Sequence, residues 1–158
     1  MEKSIISFEE SLNQTFRLSD KDWKMYSPLT LAYIGDAAYE LVIRTIFVSG
    51  GNCQVQKLHQ KVTACVSAKA QSRMIKMLQP VLTEEEAAVY RRGRNAKPYT
   101  KAKNASMEEY LEATGFEAVI GYLYARESEF TAIRTILSGR MAGLDAETIR
   151  ERLREAYV

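Results

Sequence analysis

The chain is poor in the residues that mark disulfide scaffolds, zinc sites and membrane proteins. Its 158 residues include two cysteines, one histidine and three prolines. Cys53 and Cys65 do not have the spacing of metal ligands and accompany no signal peptide, so we expect reduced thiols in a cytoplasmic protein. No run approaches the roughly 18 uninterrupted apolar residues that a membrane-spanning helix needs, so no membrane span is predicted.

The chain also lacks a marked excess of charge of either sign. Its formal net charge is +2, and 46% of its residues are hydrophobic. This composition is typical of one folded domain with a proper core, and an anionic partner would have to bind a local basic patch. We therefore expect a single domain over residues 1–158. Residues 1–21 are expected to form an N-terminal segment that can fray, with one short helix near Phe8 to Phe16.

Hydrophobic residues recur at helical spacing, and no segment shows the alternation that is typical of a strand. Ser27 and Pro28 begin a long helix that reaches Phe47 before Gly50 and Gly51. Further helix starts are indicated by the capping residues Ser67, Thr83, Ser128 and Asp145. The prediction is an all-α fold, a compact bundle of about seven to nine helices.

Three carboxylates lie in helical segments that are apolar or small on nearly every side. Asp36 and, one turn later, Glu40 lie in the Pro28 to Phe47 helix, which we predict to be buried all round because both its faces are mostly apolar. Glu117 lies between Tyr110 and Tyr124, with no Lys or Arg three or four residues away. A buried carboxylate needs either an ordinary hydrogen-bond donor or a hard divalent cation such as Mg²⁺ or Mn²⁺. The residues alone leave both interpretations open.

A basic segment precedes the helix that contains Glu117. Its polar residues are Arg91, Arg92, Arg94, Asn95, Lys97, Lys101 and Lys103. No Asp or Glu occurs from Ala87 to Met107, while Gly93 and Pro98 favour a loop between two helices. The segment is either a solvated connector or a loop that binds phosphate groups.

At these residues the chain resembles the ribonuclease III family. The segment from Leu31 to Ala37 is similar to the signature helix of that family, and the segment from Glu117 to Tyr124 is similar to its second acidic motif. The basic segment from Arg92 to Lys97 resembles that of the short bacterial branch, Mini-ribonuclease III. Full-length members carry acids where this chain has Ala32 and Thr114, and the short branch is expected to share this departure. The number of bound metal ions is therefore left open.

The resemblance implies an Mg²⁺-dependent endoribonuclease, with Mn²⁺ as a substitute ion, that cleaves double-stranded RNA as a homodimer. It implies that Asp36 and Glu117 are the catalytic residues and metal ligands and that the basic segment binds RNA. Glu40, one turn from Asp36, is a candidate third ligand, and Tyr33 is expected at the dimer interface, where Gly35 would permit close approach.

The substrate that the resemblance implies is precursor 23S ribosomal RNA, and a ribosomal protein that presents this RNA is a candidate partner. Two other functions stay open at this point. One is a catalytically inactive RNA-binding module with the same fold, and the other is a helical interaction protein that binds no RNA.

Overall fold

The computed structural model describes residues 8–19, 22–97 and 104–127. Within these residues all regular structure is helical, and no strand occurs. The α-helices are α1 (Phe8–Phe16), α2 (Pro28–Val48), α3 (Val55–Val66), α4 (Ala68–Leu78), α5 (Glu84–Arg94) and α6 (Met107–Glu127), and short 3₁₀ helices span Trp23–Met25 and Gln79–Val81. The predicted all-α fold is confirmed. The helices predicted after Ser128 and Asp145 lie outside the described residues.

The helices begin at the predicted capping residues. Ser27 Oγ accepts a hydrogen bond at 3.2 Å from the backbone N–H three residues on, and Pro28 takes the first helical position of α2. Ser67 caps α4 in the same way, and Thr83 and Glu86 form a reciprocal capping box at the start of α5. In the described part of the chain, no helix is both long and apolar enough to cross a membrane.

Helix α6 lies at the centre of the described fold and packs against α2, α4 and α5. Its side chains Phe116, Ile120 and Tyr122 are fully buried. Tyr39 of α2 meets Phe116 edge to face at a ring-centroid distance of 4.9 Å, and Trp23 meets Tyr122 in the same manner at 4.4 Å. These contacts hold α2 and the segment before it against α6.

Two glycines allow the backbones of α2 and α6 to touch. A Cβ atom added to Gly35 would collide with the carbonyl oxygen of Glu117, and one added to Gly121 would collide with the carbonyl oxygen of Leu31. No residue other than glycine fits at either position without a shift of one helix. Gly121 thus admits the backbone of α2. The expectation that Gly35 serves a two-fold interface is wrong, because Gly35 is buried in this internal crossing.

Helix α2 is covered on one side only. Its residues Leu31, Tyr39 and Ile43 are buried, whereas the side chain of Tyr33 is 84% exposed and that of Leu41 is 53% exposed. The prediction that this helix is buried all round is therefore wrong for the described chain, since one apolar face has no covering element there. The exposed apolar stripe of α2 consists of Tyr33, Ile34, Leu41 and Val48.

Candidate active site

The crossing of α2 and α6 brings Asp36 and Glu117 together. Asp36 directly follows Gly35, and the backbone of Gly35 lies against the carbonyl group of Glu117. A hydrogen bond joins the two carboxyl groups. The two acids that were predicted separately from two helices therefore form one pair.

The two acids differ in exposure. Asp36 lies at the solvent edge of α2, whereas Glu117 is largely covered by the protein. The expectation that Asp36 is enclosed by apolar side chains is wrong, because the face of α2 next to it is open to solvent in the described chain. An open edge beside the pair is what access by a large substrate requires.

Both carboxyl groups of the pair hold a proton more tightly than usual. Burial, followed by the negative charge of Asp36, raises the pKa of Glu117 to about 8, although a hydrogen bond from Gln71 acts in the opposite direction. Partial burial of the carboxyl group, followed by the charge of Glu40, raises the pKa of Asp36, while the hydrogen bond with Glu117 lowers it. In the hydrogen bond between them, Glu117 is the donor and Asp36 is the acceptor, because this bond raises the pKa of Glu117 and lowers that of Asp36.

Glu40 makes a different interaction from the one predicted. Arg44 Nε donates a hydrogen bond to Glu40 Oε1 at 3.0 Å, so the carboxylate is paired along the surface of α2. Within the described residues, no group of three or more His, Cys, Asp or Glu side chains is arranged to hold a metal ion. Glu40 as a third ligand thus stays a prediction without geometric support, although its charge acts on Asp36.

Gln71 of α4 completes the site, although no pattern in the sequence predicted it as a site residue. Its side chain is 1% exposed, and its Nε2 atom donates a hydrogen bond to the backbone oxygen of Val66 at 3.2 Å. The amide also forms a hydrogen bond with the Glu117 carboxyl group. Its Oε1 atom is buried and has no hydrogen-bond partner among the described residues. One sequence feature could have indicated Gln71. It is a polar residue that lies at helical spacing from the buried residues Met74, Ile75 and Leu78.

The donor set fits a hard divalent cation. Asp36 and Glu117 bring two carboxyl groups together where the helices cross, and an unpartnered amide oxygen belongs to the residue that bonds Glu117. Carboxylate and amide oxygens are the ligands that Mg²⁺ and Mn²⁺ prefer. Ala32 and Thr114 add no charge to this set, since Ala32 is apolar and the Thr114 hydroxyl donates to the backbone oxygen of Tyr110.

The basic segment is helical at its start. Helix α5 continues to Arg94, so the prediction of a loop from Arg91 onward is wrong for its first residues. The physical reason is Gly93, which is buried against α6 and lets the last turn of α5 pack closely there. Cations in the last turn also favour the helix, because they face the negative end of its dipole.

The exposed side chains of this segment are Arg91, Arg92, Arg94, Asn95 and Lys97, whereas Lys101 and Lys103 lie outside the described residues. A Cβ atom added to Gly93 would lie 2.8 Å from the Cβ atom of Ala118, which directly follows Glu117. The basic end of α5 therefore lies beside the turn of α6 that carries the acid.

Comparison with known proteins decides the family. The model of the ribonuclease III domain matches residues 29–128, a range that includes both acids and the basic segment. The chain belongs to the ribonuclease III family. The predicted membership is thereby confirmed, and the ribonuclease III domain makes the chain an endoribonuclease.

Similar proteins named Mini-ribonuclease 3 place the chain in the short branch of this family. The protein from Clostridium tetani is 54% identical over 105 residues, which are 66% of this chain and 70% of the relative. The protein from Thermoanaerobacter is 44% identical over 137 residues, which are 87% of this chain and 94% of the relative. A crystal structure of a protein from Fusobacterium nucleatum superposes with a TM-score of 0.67 at 36% identity and covers 75% of this chain and 95% of its own.

Proposed function

We propose that this ribonuclease III domain cleaves double-stranded RNA with Mg²⁺, or with Mn²⁺ as a substitute, at the pair formed by Asp36 and Glu117. The observation that carries the proposal is the convergence of these two acids at a solvent-accessible edge of the fold. Holding two acids together in a partly buried position is unfavourable for the folded protein unless a cation binds there. A catalytically inactive RNA-binding module has no use for such a pair, so the enzyme is the better supported function.

Asp36 and Glu117 would hold the cation from two different helices, so the position of the ion depends on the α2–α6 crossing. When bound, a divalent cation supplies an activated water and stabilises negative charge on the reacting phosphate. Asp36, at the solvent edge, lies on the side from which a phosphodiester group can approach. Glu117 lies deeper, and Gln71 holds its carboxyl group by a hydrogen bond.

The basic end of α5 would bind the RNA duplex. Double-stranded RNA is recognised mainly through its phosphates, its 2′-hydroxyl groups and the shape of its minor groove, for which Arg, Lys and Asn side chains are suited. Arg92 and Arg94 are exposed on the last helical turn, on either side of the buried Gly93, and Asn95 and Lys97 continue the positive surface. Their position beside the Glu117 turn would place bound phosphates near the acid pair.

A cleavage assay tests the proposed reaction. We expect labelled duplex RNA to be cut in Mg²⁺ and left intact in EDTA. Asp36→Asn should reduce cleavage by several orders of magnitude, because it removes a charged ligand at nearly constant volume. The variant should bind duplex RNA as the wild type does, so that binding serves as its folding control. Wild-type cleavage rates in Asp36→Asn would refute the assignment of the site.

The exposed apolar stripe of α2 supports a homodimer. Exposed apolar surface of this kind marks interaction surfaces, and a two-fold axis lets one stripe cover its copy. Asp36 and Glu40 border the stripe on the same helix, so such an interface would bring the two active sites close enough for each subunit to cut one RNA strand. Tyr33 would then lie in the interface, as the resemblance implies.

Light scattering tests the dimer. We expect a mass near twice the 17.9 kDa of the chain. Leu41→Glu should shift the mass to that of a monomer, because it would bury an unpaired charge in the interface. Val55→Glu is the matched control, since Val55 is an exposed apolar residue on α3 outside the stripe. A monomeric wild type at micromolar concentration would count against the proposal.

We extend the proposal to the maturation of precursor 23S ribosomal RNA in the cytoplasm, the role that the family resemblance implies. The test compares a duplex formed by the ends of the precursor with a scrambled duplex of equal length, each with and without added ribosomal proteins. Faster cleavage of the precursor duplex is expected. Equal cleavage rates for both duplexes under all conditions would indicate a general activity on double-stranded RNA and would refute this assignment.

A further inference from the structure

Gln71 links the end of one helix to the acid pair. Its Nε2 atom donates a hydrogen bond to the carbonyl oxygen of Val66, the last residue of α3. Carbonyl groups at the end of a helix have no backbone N–H partner within that helix. This contact settles the orientation of the amide, because a carbonyl oxygen can only accept a hydrogen bond. The same amide group bonds the carboxyl group of Glu117.

In the described part of the chain, the amide oxygen of Gln71 lacks the hydrogen bond that a buried acceptor normally has. Oε1 of Gln71 is buried without a hydrogen-bond partner among the described residues. A buried acceptor without a donor is unfavourable, so this atom requires a partner that the protein itself does not supply among the described residues. Because Oε1 and Nε2 belong to the same amide group, Oε1 lies within one amide width of the nitrogen that bonds the Glu117 carboxyl group. The missing donor is therefore expected at the acid pair.

We propose that Gln71 is a positioning residue for the cation held by Asp36 and Glu117. Its N–H group holds the Glu117 carboxylate in place, and Oε1 accepts a hydrogen bond from the hydration shell of the ion. This inference rests on the proposed function, since it uses the same cation.

The chemistry of Mg²⁺ supports this role. Mg²⁺ usually keeps several water molecules when only one or two carboxylates bind it, and those water molecules need acceptors around them. The chain has Ala32 and Thr114 where longer family members are expected to have acids, so charged acceptors are missing at those positions. A neutral amide supplies an acceptor without adding a third negative charge to two acids that already repel each other.

Mn²⁺ binding without RNA tests the role of Gln71. The full chain is titrated with Mn²⁺, and the free ion is measured by electron paramagnetic resonance. Gln71→Met keeps the volume of the side chain but removes donor and acceptor, and we expect the affinity for Mn²⁺ to fall about tenfold. Ser72→Ala is the matched control, because Ser72 is also buried on α4 and donates its hydrogen bond to Glu112 instead. Its affinity for Mn²⁺ should equal that of the wild type.

Thermal unfolding of each variant separates positioning from packing. If Gln71→Met melts at a lower temperature but binds Mn²⁺ as tightly as the wild type, Gln71 is a packing residue and the inference is overturned. If Gln71→Met does not fold, Gln71→Asn takes its place, since it keeps an amide in the core but withdraws it by one methylene group. It should also bind Mn²⁺ more weakly, and an unchanged affinity would overturn the inference.

Asp36→Asn distinguishes failure of this inference from failure of the proposed function. Equal Mn²⁺ binding by the wild type and Asp36→Asn would refute the proposed cation site and, with it, the role of Gln71. Binding that depends on Asp36 but not on Gln71 would remove the inference alone.

Discussion

The raised pKa of Glu117 predicts that the metal-free protein loses stability as the pH rises. In the folded chain the pKa of Glu117 is about 8, against an ordinary value of 4.5. Between these two values the folded state keeps a proton that the unfolded state has released. The contribution of Glu117 to the stability of the folded chain is therefore fully present below pH 4.5, and it is lost as the pH rises through the folded-state pKa of about 8. A carboxylate in a salt bridge has the opposite effect, because its pKa is lowered by folding and its contribution to stability is lost as the pH falls.

The magnitude follows from the same two values. One pKa unit corresponds to about 1.4 kcal/mol. The free energy of unfolding of the wild type should therefore fall by on the order of 3 kcal/mol between about pH 5.5 and pH 8.5. Glu117→Gln cannot ionise and should not show this loss. For a domain of this size the difference corresponds to a change of about 10 °C in melting temperature. At high pH the variant should therefore be the more stable protein.

The assay is chemical denaturation in EDTA at both pH values, followed by the fluorescence of Trp23, which packs against Tyr122 in the core. Comparison with Glu117→Gln cancels the contributions of the titrating groups that do not interact with Glu117. Glu108→Gln, an exposed acid on the same helix, is the control and should follow the wild type. Parallel pH dependence of the wild type and Glu117→Gln would refute the reasoning, because it would show that Glu117 ionises freely in the folded chain.

The close crossing of α2 and α6 predicts that Gly121→Ala lowers the free energy of unfolding by about 2 kcal/mol or more and also slows cleavage, whereas Gly50→Ala beyond the end of α2 should do neither. Denaturation curves beside a cleavage assay would show this, and an unaffected Gly121→Ala would contradict the crossing. Joint replacement of Arg92 and Arg94 by Ala should weaken binding to duplexes of any sequence and lower the salt slope by about two. Filter binding over a range of salt concentrations measures both, and normal binding would assign these residues to another role. Glu40→Gln should raise the Mg²⁺ concentration for half-maximal cleavage about tenfold if this acid supports the ion. An unchanged Mg²⁺ requirement with a lower melting temperature would assign it to its ion pair alone.

The sequence by itself determined the local structure and identified the candidate acids. Helix starts at Ser27, Ser67 and Thr83 could be predicted because a cap is formed by residues that are neighbours in the chain. The isolation of Asp36 and Glu117 among apolar residues was also visible, since helical periodicity is a property of short segments. These two features were enough to predict an all-α fold and to name Asp36 and Glu117 as candidates, whereas their catalytic role was implied by the family resemblance.

Only the tertiary structure decided how those parts meet. Gly35 faces α6 within the chain, and this contact, which no local pattern encodes, brings the two carboxyl groups within hydrogen-bonding distance. The role of Gln71 was likewise invisible, because a polar residue on a buried helical face gains meaning only from the groups that the fold places opposite it. The exposed side of α2 was mispredicted because an apolar face has the same sequence pattern whether it covers a core or awaits a partner. Helical patterns report which residues leave water, and the packing of helices determines which residues they then meet.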